Sequence, residues 1–429
     1  MRRIGTVGFI FYFLLFGGSG LAQESQPPLT LEESIKIALE RNLKLHSATE
    51  GIVGSEFRQS GAKADFLPKW TGEYSYTKYN SPTTIGDGKD RDLSNVNTSI
   101  KQPLFSGGSI TSNYRLEKLG VDLSKTNVEV VKRDIVLQVR EGYFNILRAE
   151  KFLAVAQQAV KQFEAQLEVT KAFFEVGIVP KNDLLQAEVK LANAMQGLVK
   201  AENDLAVAKA SFNTLLRREI NAPLSVVDIL QYKPFPLRFE ESLEEAFQKR
   251  PEIKSAELNI GQAKENVKIA RSGFFPTVNL TGTYGRNSEE VGLMGDLRSE
   301  RWNVQALATM TLWDWKKTAS KVGENKVKVT QAEDSKVQLV EGVTFEVKQD
   351  YLNMLQAEKS IGVAEKSIEQ AEENLRMNEE RYKYQVATAT DVLDAVTLLA
   401  QARVNYYSAL SDFNVAKARL ERAMGRIYP

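Results

Sequence analysis

Two carboxylates, Asp391 and Asp394, stand three residues apart in a helix-forming stretch, a spacing that places both on one side of a helix. Paired carboxylates can do general acid–base work, but here no histidine, glycine-rich phosphate loop or clustered third group accompanies them. The 429-residue chain holds one histidine, His46, and no cysteine, which puts the common transition-metal sets and any disulfide framework out of reach. His46 reads as an ordinary helix-surface residue. The sequence therefore points away from an enzyme, and no cofactor or metal is expected. Three roles remain for the aspartates: capping of a helix start by Asp391, a solvated charged face, or a position facing a lumen. Both sit beside the apolar stripe Val392, Ala395 and Leu399 rather than within it.

The elements that position this pair come in duplicate. Ser34, Ala38, Ser47, Ala48 and Pro68 recur 208 residues later as Ser242, Ala246, Ser255, Ala256 and Pro276. Tyr143, Asn145, Leu147 and Glu150 return as Tyr351, Asn353, Leu355 and Glu358, and Asp183 returns as Asp391. Such register marks a tandem duplication of a helix-strand-strand-helix unit. The first repeat spans 23–217 and the second 239–429, with the Pro-containing stretch 218–238 reading as a linker.

Between Gly108 and Gly177 there is no proline, and helix-favouring residues predict one helix over 109–174, about 100 Å long at 1.5 Å per residue. Its counterpart is expected over 317–384. Shorter helices are expected at 44–64 and 182–217, which laid end to end nearly match the long one. Ala402, Tyr406, Ala409, Phe413, Ala416, Leu420 and Ala423 alternate spacings of four and three, the mark of a coiled-coil seam. The positions 208 residues earlier, Ala194 through Leu215, are apolar throughout.

Period-two alternation marks two strands in each repeat. Trp70, Gly72, Tyr74 and Tyr76 share one face, and Val96, Thr98, Ile100, Gln102 and Leu104 form a weaker one. In the second repeat Val278, Leu280, Gly282 and Tyr284 are matched by Val304, Ala306, Ala308, Met310 and Leu312. Strands of about ten residues suit a tilted bilayer crossing. The four tryptophans, Trp70, Trp302, Trp313 and Trp315, lie at or beside strand ends, where an aromatic girdle belongs. Backbone groups in lipid must all be paired, and four strands are too few to close a barrel, so strands that enter lipid require further copies. The polar connections 81–93 and 288–301 are expected on the far side of the membrane.

Residues 1–22 read as an export signal, with Arg2 and Arg3, an apolar core and a small-residue end. Losing those two arginines takes the formal charge from +1 to −1, a balance that argues against a nucleic-acid partner.

Duplicated halves, paired long helices, four strands and an export signal together resemble the TolC family of outer-membrane efflux proteins. So do Gln102-Pro103-Leu104-Phe105-Ser106-Gly107-Gly108, Val176-Gly177-Ile178-Val179 and Asp391-Val392-Leu393-Asp394-Ala395. The resemblance implies a mainly α chain with a small β part, whose long antiparallel coiled-coil helices and four membrane strands build a trimeric channel-tunnel. That means a 12-stranded barrel in the outer membrane of a Gram-negative bacterium and a 12-helix tunnel through the periplasm. It also implies a periplasmic adaptor (membrane fusion protein) and an inner-membrane pump as partners. Val176, Gly177, Ile178, Val179, Gln385 and Val386 fall at the tip that would meet the adaptor. Asp391, Asp394, Asp183 and Tyr382 fall where the inner aperture would close, and crowding of six aspartates around an axis would raise some of their pKa values. Three departures stand out: Leu312-Trp313-Asp314-Trp315-Lys316 in place of a leucine-phenylalanine-glycine run, Gln385 in place of a turn glycine, and Ala387 in place of an arginine. Without cysteine the chain lacks the attachment point of lipid-anchored members. The competing reading is a non-porous periplasmic coiled-coil adaptor, which has long hairpins but no need for girdled strands.

Overall fold

The computed structural model describes residues 27–78, 93–288 and 299–426. The export signal and most of the connections 81–93 and 288–301 lie outside them. Within each repeat the chain runs through two helices, a strand pair, a very long helix and a return helix. The first repeat comprises α1 (Leu31–Arg41), α2 (Leu43–Ala64), β1 (Lys69–Thr77), β2 (Leu93–Ser106), α3 (Ser109–Glu175) and α4 (Lys181–Leu215). The second comprises α5 (Phe239–Lys249), α6 (Pro251–Arg271), β3 (Thr277–Ser288), β4 (Ser299–Thr309), α7 (Lys317–Lys383) and α8 (Ala389–Ala423).

The short helices α1 and α5 were not distinguished by helical periodicity, though their ends are written in the sequence. Thr30 and Glu33 form a reciprocal capping box at the start of α1. Asn42 then ends α1 and opens α2, its Oδ1 accepting from the Lys44 and Leu45 amides. In the second repeat Arg250 occupies the same corner, and Pro251 supplies a first helical residue that needs no N–H partner.

Helix α3 runs the length of the helical part, flanked first by α2 and then by α4, and α7 is flanked likewise by α6 and α8. Because α3 also packs on α6 and α8, the helices form a row: α2–α3–α6–α7 near the strands, α4–α3–α8–α7 beyond. The seam expected in α8 is packed, with Phe413, Leu420 and Ala423 at 1 % exposure or less. Each such large apolar side chain contributes about 1.5–3 kcal/mol by leaving water. Close approach of α4 to α3 depends on Gly142, where a Cβ would sit 2.8 Å from the Phe212 ring.

A belt of α1, α5 and the segment 216–238 wraps this row at mid-length. The segment joining the repeats has no helix, and a single bridge, Leu29 with Val226, stands in for strand structure. Nevertheless it buries Leu224, Val226 and Leu230. The Tyr143 hydroxyl, donating between the Val227 carbonyl at 2.7 Å and the Leu29 carbonyl at 3.0 Å, ties the belt to α3. Burial pushes this phenol up to about 12.

The strands form one antiparallel sheet in the order β1-β2-β3-β4, leaving β1 and β4 as open edges. Trp70 lies opposite Ile100, Ile100 opposite Gly282, and Gly282 opposite Val304, so these share a face, as do Tyr284 and Trp302. The other face carries Thr71, Ser99, Thr283 and Asn303 in one row and Glu73, Asn97, Gly285 and Arg301 in another. One expectation shifts. A bulge between Pro103 and Phe105 leaves Leu104 out of register and places Phe105 opposite Val278, so Phe105 continues the apolar face. In β4, Met310 and Leu312 lie beyond the strand end.

Candidate functional site: the helical tip and the girdled sheet

Each long helix ends in a left-handed residue that lets the chain reverse. At the first turn Gly177 has φ 78°, its amide bonding to Phe174 O while the Ile178 amide reaches Phe173 O. The second turn has the same bonds, Gln385 to Tyr382 O and Val386 to Arg381 O, with Gln385 held at φ 60°. The absent glycine is thus replaced without change of backbone. Around these turns Val176, Ile178, Tyr384 and Val386 are 44–81 % exposed, an apolar rim with nothing packed on it in one chain. Tyr384 belongs to this rim although its sequence position did not single it out. Val179 is half-buried at the base of the first turn.

The four aperture candidates do not share one environment. Tyr382 is buried at 3 % exposure, its ring 5.4 Å from Phe173 and its hydroxyl 3.3 Å from Thr170 Oγ1. It holds α7 against α3. Burial raises its pKa, and the charge of Asp183, in the first turn of α4, adds to the rise. Asp391 is exposed and closes a capping box, accepting from the Thr388 amide and hydroxyl, both at 2.8 Å. In a single chain these bonds hold its carboxyl below the usual range, the opposite direction from crowding. Asp394 is exposed and accepts from Lys190 of α4 at 3.0 Å. One turn nearer the tip, Thr390 donates to Gln186 at 2.7 Å. Lys190 and Gln186 had no sequence signal, because both contacts link positions 204 apart, one helical turn off the 208-residue repeat.

On the side of the row away from the belt runs a groove lined by Gln138, Asn145, Arg148, Gln356, Ser408 and Asp412 among others. Its charges are partly matched, Arg419 with Glu141 at 2.7 Å and Arg148 with Asp412 at 3.8 Å. Along α8, Asn405, Asp412 and Arg419 follow Asp391 at multiples of seven, and Ser408 lies two heptads beyond Asp394. In a supercoiled helix, heptad spacing keeps residues on one face, so both aspartates share the groove side.

The tryptophans are 71–85 % exposed. Trp70, Trp313 and Trp315 stand at the helix-proximal end of the sheet, with Trp313 and Trp315 edge to face at 5.8 Å, and Trp302 stands toward the loop end. Two levels of aromatic residues on an apolar face are the arrangement of a bilayer-crossing sheet. No helix among the described residues is long and apolar enough to cross a membrane. No group of three or more His, Cys, Asp or Glu residues is placed to hold a metal among them.

Comparison with known proteins agrees with this architecture. The chain matches the family model described as outer membrane efflux protein over residues 35–216 and 242–426, one match per repeat. It is 21 % identical over 415 residues to the outer membrane efflux protein BepC of Brucella suis, covering 96 % of this chain and 89 % of that one. To the outer membrane protein TolC of Vibrio cholerae it is 24 % identical over 351 residues, 79 % of this chain and 78 % of that one. Among solved structures, the Campylobacter jejuni CmeC outer membrane channel superposes with a TM-score of 0.82 at 19 % identity, covering 92 % and 85 % of the two chains. The open state of the Neisseria gonorrhoeae MtrE outer membrane channel gives 0.78 at 24 %, covering 92 % and 88 %. A girdled sheet is what a channel requires and an adaptor does not, and with a family match across both repeats the chain belongs to the outer membrane efflux proteins.

Proposed function

We propose that three copies close around one axis into a channel-tunnel that carries cargo outward across the periplasm and outer membrane. The observation that carries this is the four-stranded sheet with one apolar, girdled face, one polar face and two open edges. Such edges cannot stay bare in lipid. Pairing β4 of one copy with β1 of the next closes the ring with the polar face inward. The helical row supports the same closure: at one edge α4 exposes Leu185, Val189 and Val199, and at the other α7 exposes Phe345, Leu352 and Val363. The belt then lies outside and the polar groove lines the lumen. A periplasmic adaptor engages the tip rim of Val176, Ile178, Tyr384 and Val386, and an inner-membrane pump supplies the cargo. Asp391 and Asp394 stand at the inner end of the lumen, with Asp183 and Tyr382 bracing the helices behind them.

Mass in detergent and conductance in planar bilayers test the channel: a trimer that conducts is expected, and a non-conducting monomer or dimer overturns it. The tip contact is tested with Gly177→Leu. A Cβ there meets no atom within 4 Å, so the substitution costs the turn about 1–2 kcal/mol of left-handed strain and leaves the protein folded. Export should fail while conductance persists; undiminished export at normal protein levels removes the adaptor from this rim.

A further inference from the structure

We propose that Lys190 sets the ion preference of the inner end by cancelling the charge of Asp394 in every chain. The inference rests on reading that end as the aperture. Lys190 Nζ lies 3.0 Å from Asp394 Oδ1, joining the return helices of the two repeats. Both side chains are more than a third exposed, 36 % and 58 %, so the pair lies in reach of water and passing ions rather than in the core. An exposed pair of this kind holds helices together only weakly, roughly 0.2–1 kcal/mol. Its larger consequence is electrostatic, since a narrow passage with low-dielectric walls focuses the field of its net charge.

Both partners lie on the groove side. Ser408, which lines the groove, is two heptads beyond Asp394, and Ser211, which also lines it, is three heptads beyond Lys190. The repeat itself does not supply the pair. At the equivalent positions, 208 residues away, Lys190 corresponds to Leu398 and Asp394 to Gln186. The two repeats have therefore diverged to place a base on one return helix and an acid on the other, one turn out of phase. The neighbouring bond from Thr390 to Gln186, at 2.7 Å, fixes that stagger. Three copies bring three Lys190–Asp394 pairs of zero net charge, so the acidic character of the inner end falls to Asp391, which is capped by Thr388 and has Arg381 in electrostatic reach.

Charge arithmetic makes the test. The pair carries 0 in the wild type, −1 in Lys190→Met, +1 in Asp394→Asn and 0 in the double variant. In planar bilayers with Mg2+ added on the helical side, Lys190→Met should raise the cation-over-anion permeability ratio about threefold and tighten Mg2+ block, as field focusing at a constriction implies. Asp394→Asn should move both in the opposite direction, while the double variant and Lys190→Arg should match the wild type. Two results overturn the proposal, and they are distinguishable. If Asp394→Asn shifts selectivity but Lys190→Met does not, Asp394 acts on ions unneutralised and the aperture reading stands without Lys190. If neither these variants nor Asp391→Asn moves selectivity or block, ions do not sense this ring, and the aperture reading fails as well.

Discussion

The two repeats share a backbone more faithfully than they share residues. Every left-handed residue among the described residues recurs 208 positions away: Gly107 and Gly108 with Trp315 and Lys316, Gly177 with Gln385, and Arg217 with Gly425. Glycine stands in only one repeat each time. Duplication thus preserved the turns, while the side chains were free to tolerate or relieve the strain. Burial diverged in the other direction. The seams of α4 and α8 are both apolar, yet α8 is walled by α3 and α7, whereas α4 packs on α3, meets α8 near the tip and leaves its other flank open. Phe413 is buried, and its equivalent Leu205 only half so. Equal patterns acquire unequal weight from their place in the row.

The sharpest way to break this contrast is to truncate the equivalent seam positions. Phe413→Ala should cost about 3–5 kcal/mol and markedly lower the thermal unfolding midpoint in detergent. Leu205→Ala should cost clearly less in a dissociated chain, and equal losses would mean that α4 and α8 are packed alike. A second contrast sits at Gly142 and its equivalent, Asp350. Where Gly142 admits the Phe212 ring, Asp350 is half-buried beside Glu346, and that burial first, then the neighbour, raises its carboxyl to about 6, against the opposing pull of Arg419, Arg422 and Arg250. Because the folded pKa lies above the unfolded one, the fold binds the proton more tightly. The resulting penalty is absent below about pH 4, grows through the window up to about 6 and is complete above it. Asp350→Asn should therefore stabilise the chain by about 1–2 kcal/mol at pH 8 and by little at pH 4, read from unfolding midpoints at the two values. Gain of equal size at both values would show that ionisation is not the cause. The smallest effects lie at the tips. Gln385→Gly should stabilise and Gly177→Gln destabilise, each by no more than about 1–2 kcal/mol, in hydrogen exchange of the turn amides. Matching signs would deny that the turns are equivalent.

How much of this was legible in the sequence follows from range. The long helices, the seam of α8, the strand pairs and their alternation depend on neighbours a few residues apart; the helix ends agree with the sequence reading to within two residues, whereas strand ends, which depend on the partner strand, differ by up to five. Leu104 does not continue the face expected of it, because a bulge is decided by the partner strand. Tyr382 and Asp394 show the limit for the site. Whether a residue two heptads from a groove faces it, hides in a packed cluster or pairs with a lysine 204 positions away is fixed only when the two hairpins dock. Asp391 was an exception, since Thr388 three residues before it already spelled out a cap.

The open edges of the sheet also bear on inheritance. A single copy cannot finish its own wall, so any ring is a joint product of whatever chains the cell makes. A chain with sound strands and a spoiled tip would still pair through β1 and β4, and would enter rings with normal chains. Loss of function at the tip should therefore behave as dominant, whereas loss of the strands, which bars a chain from every ring, should be recessive.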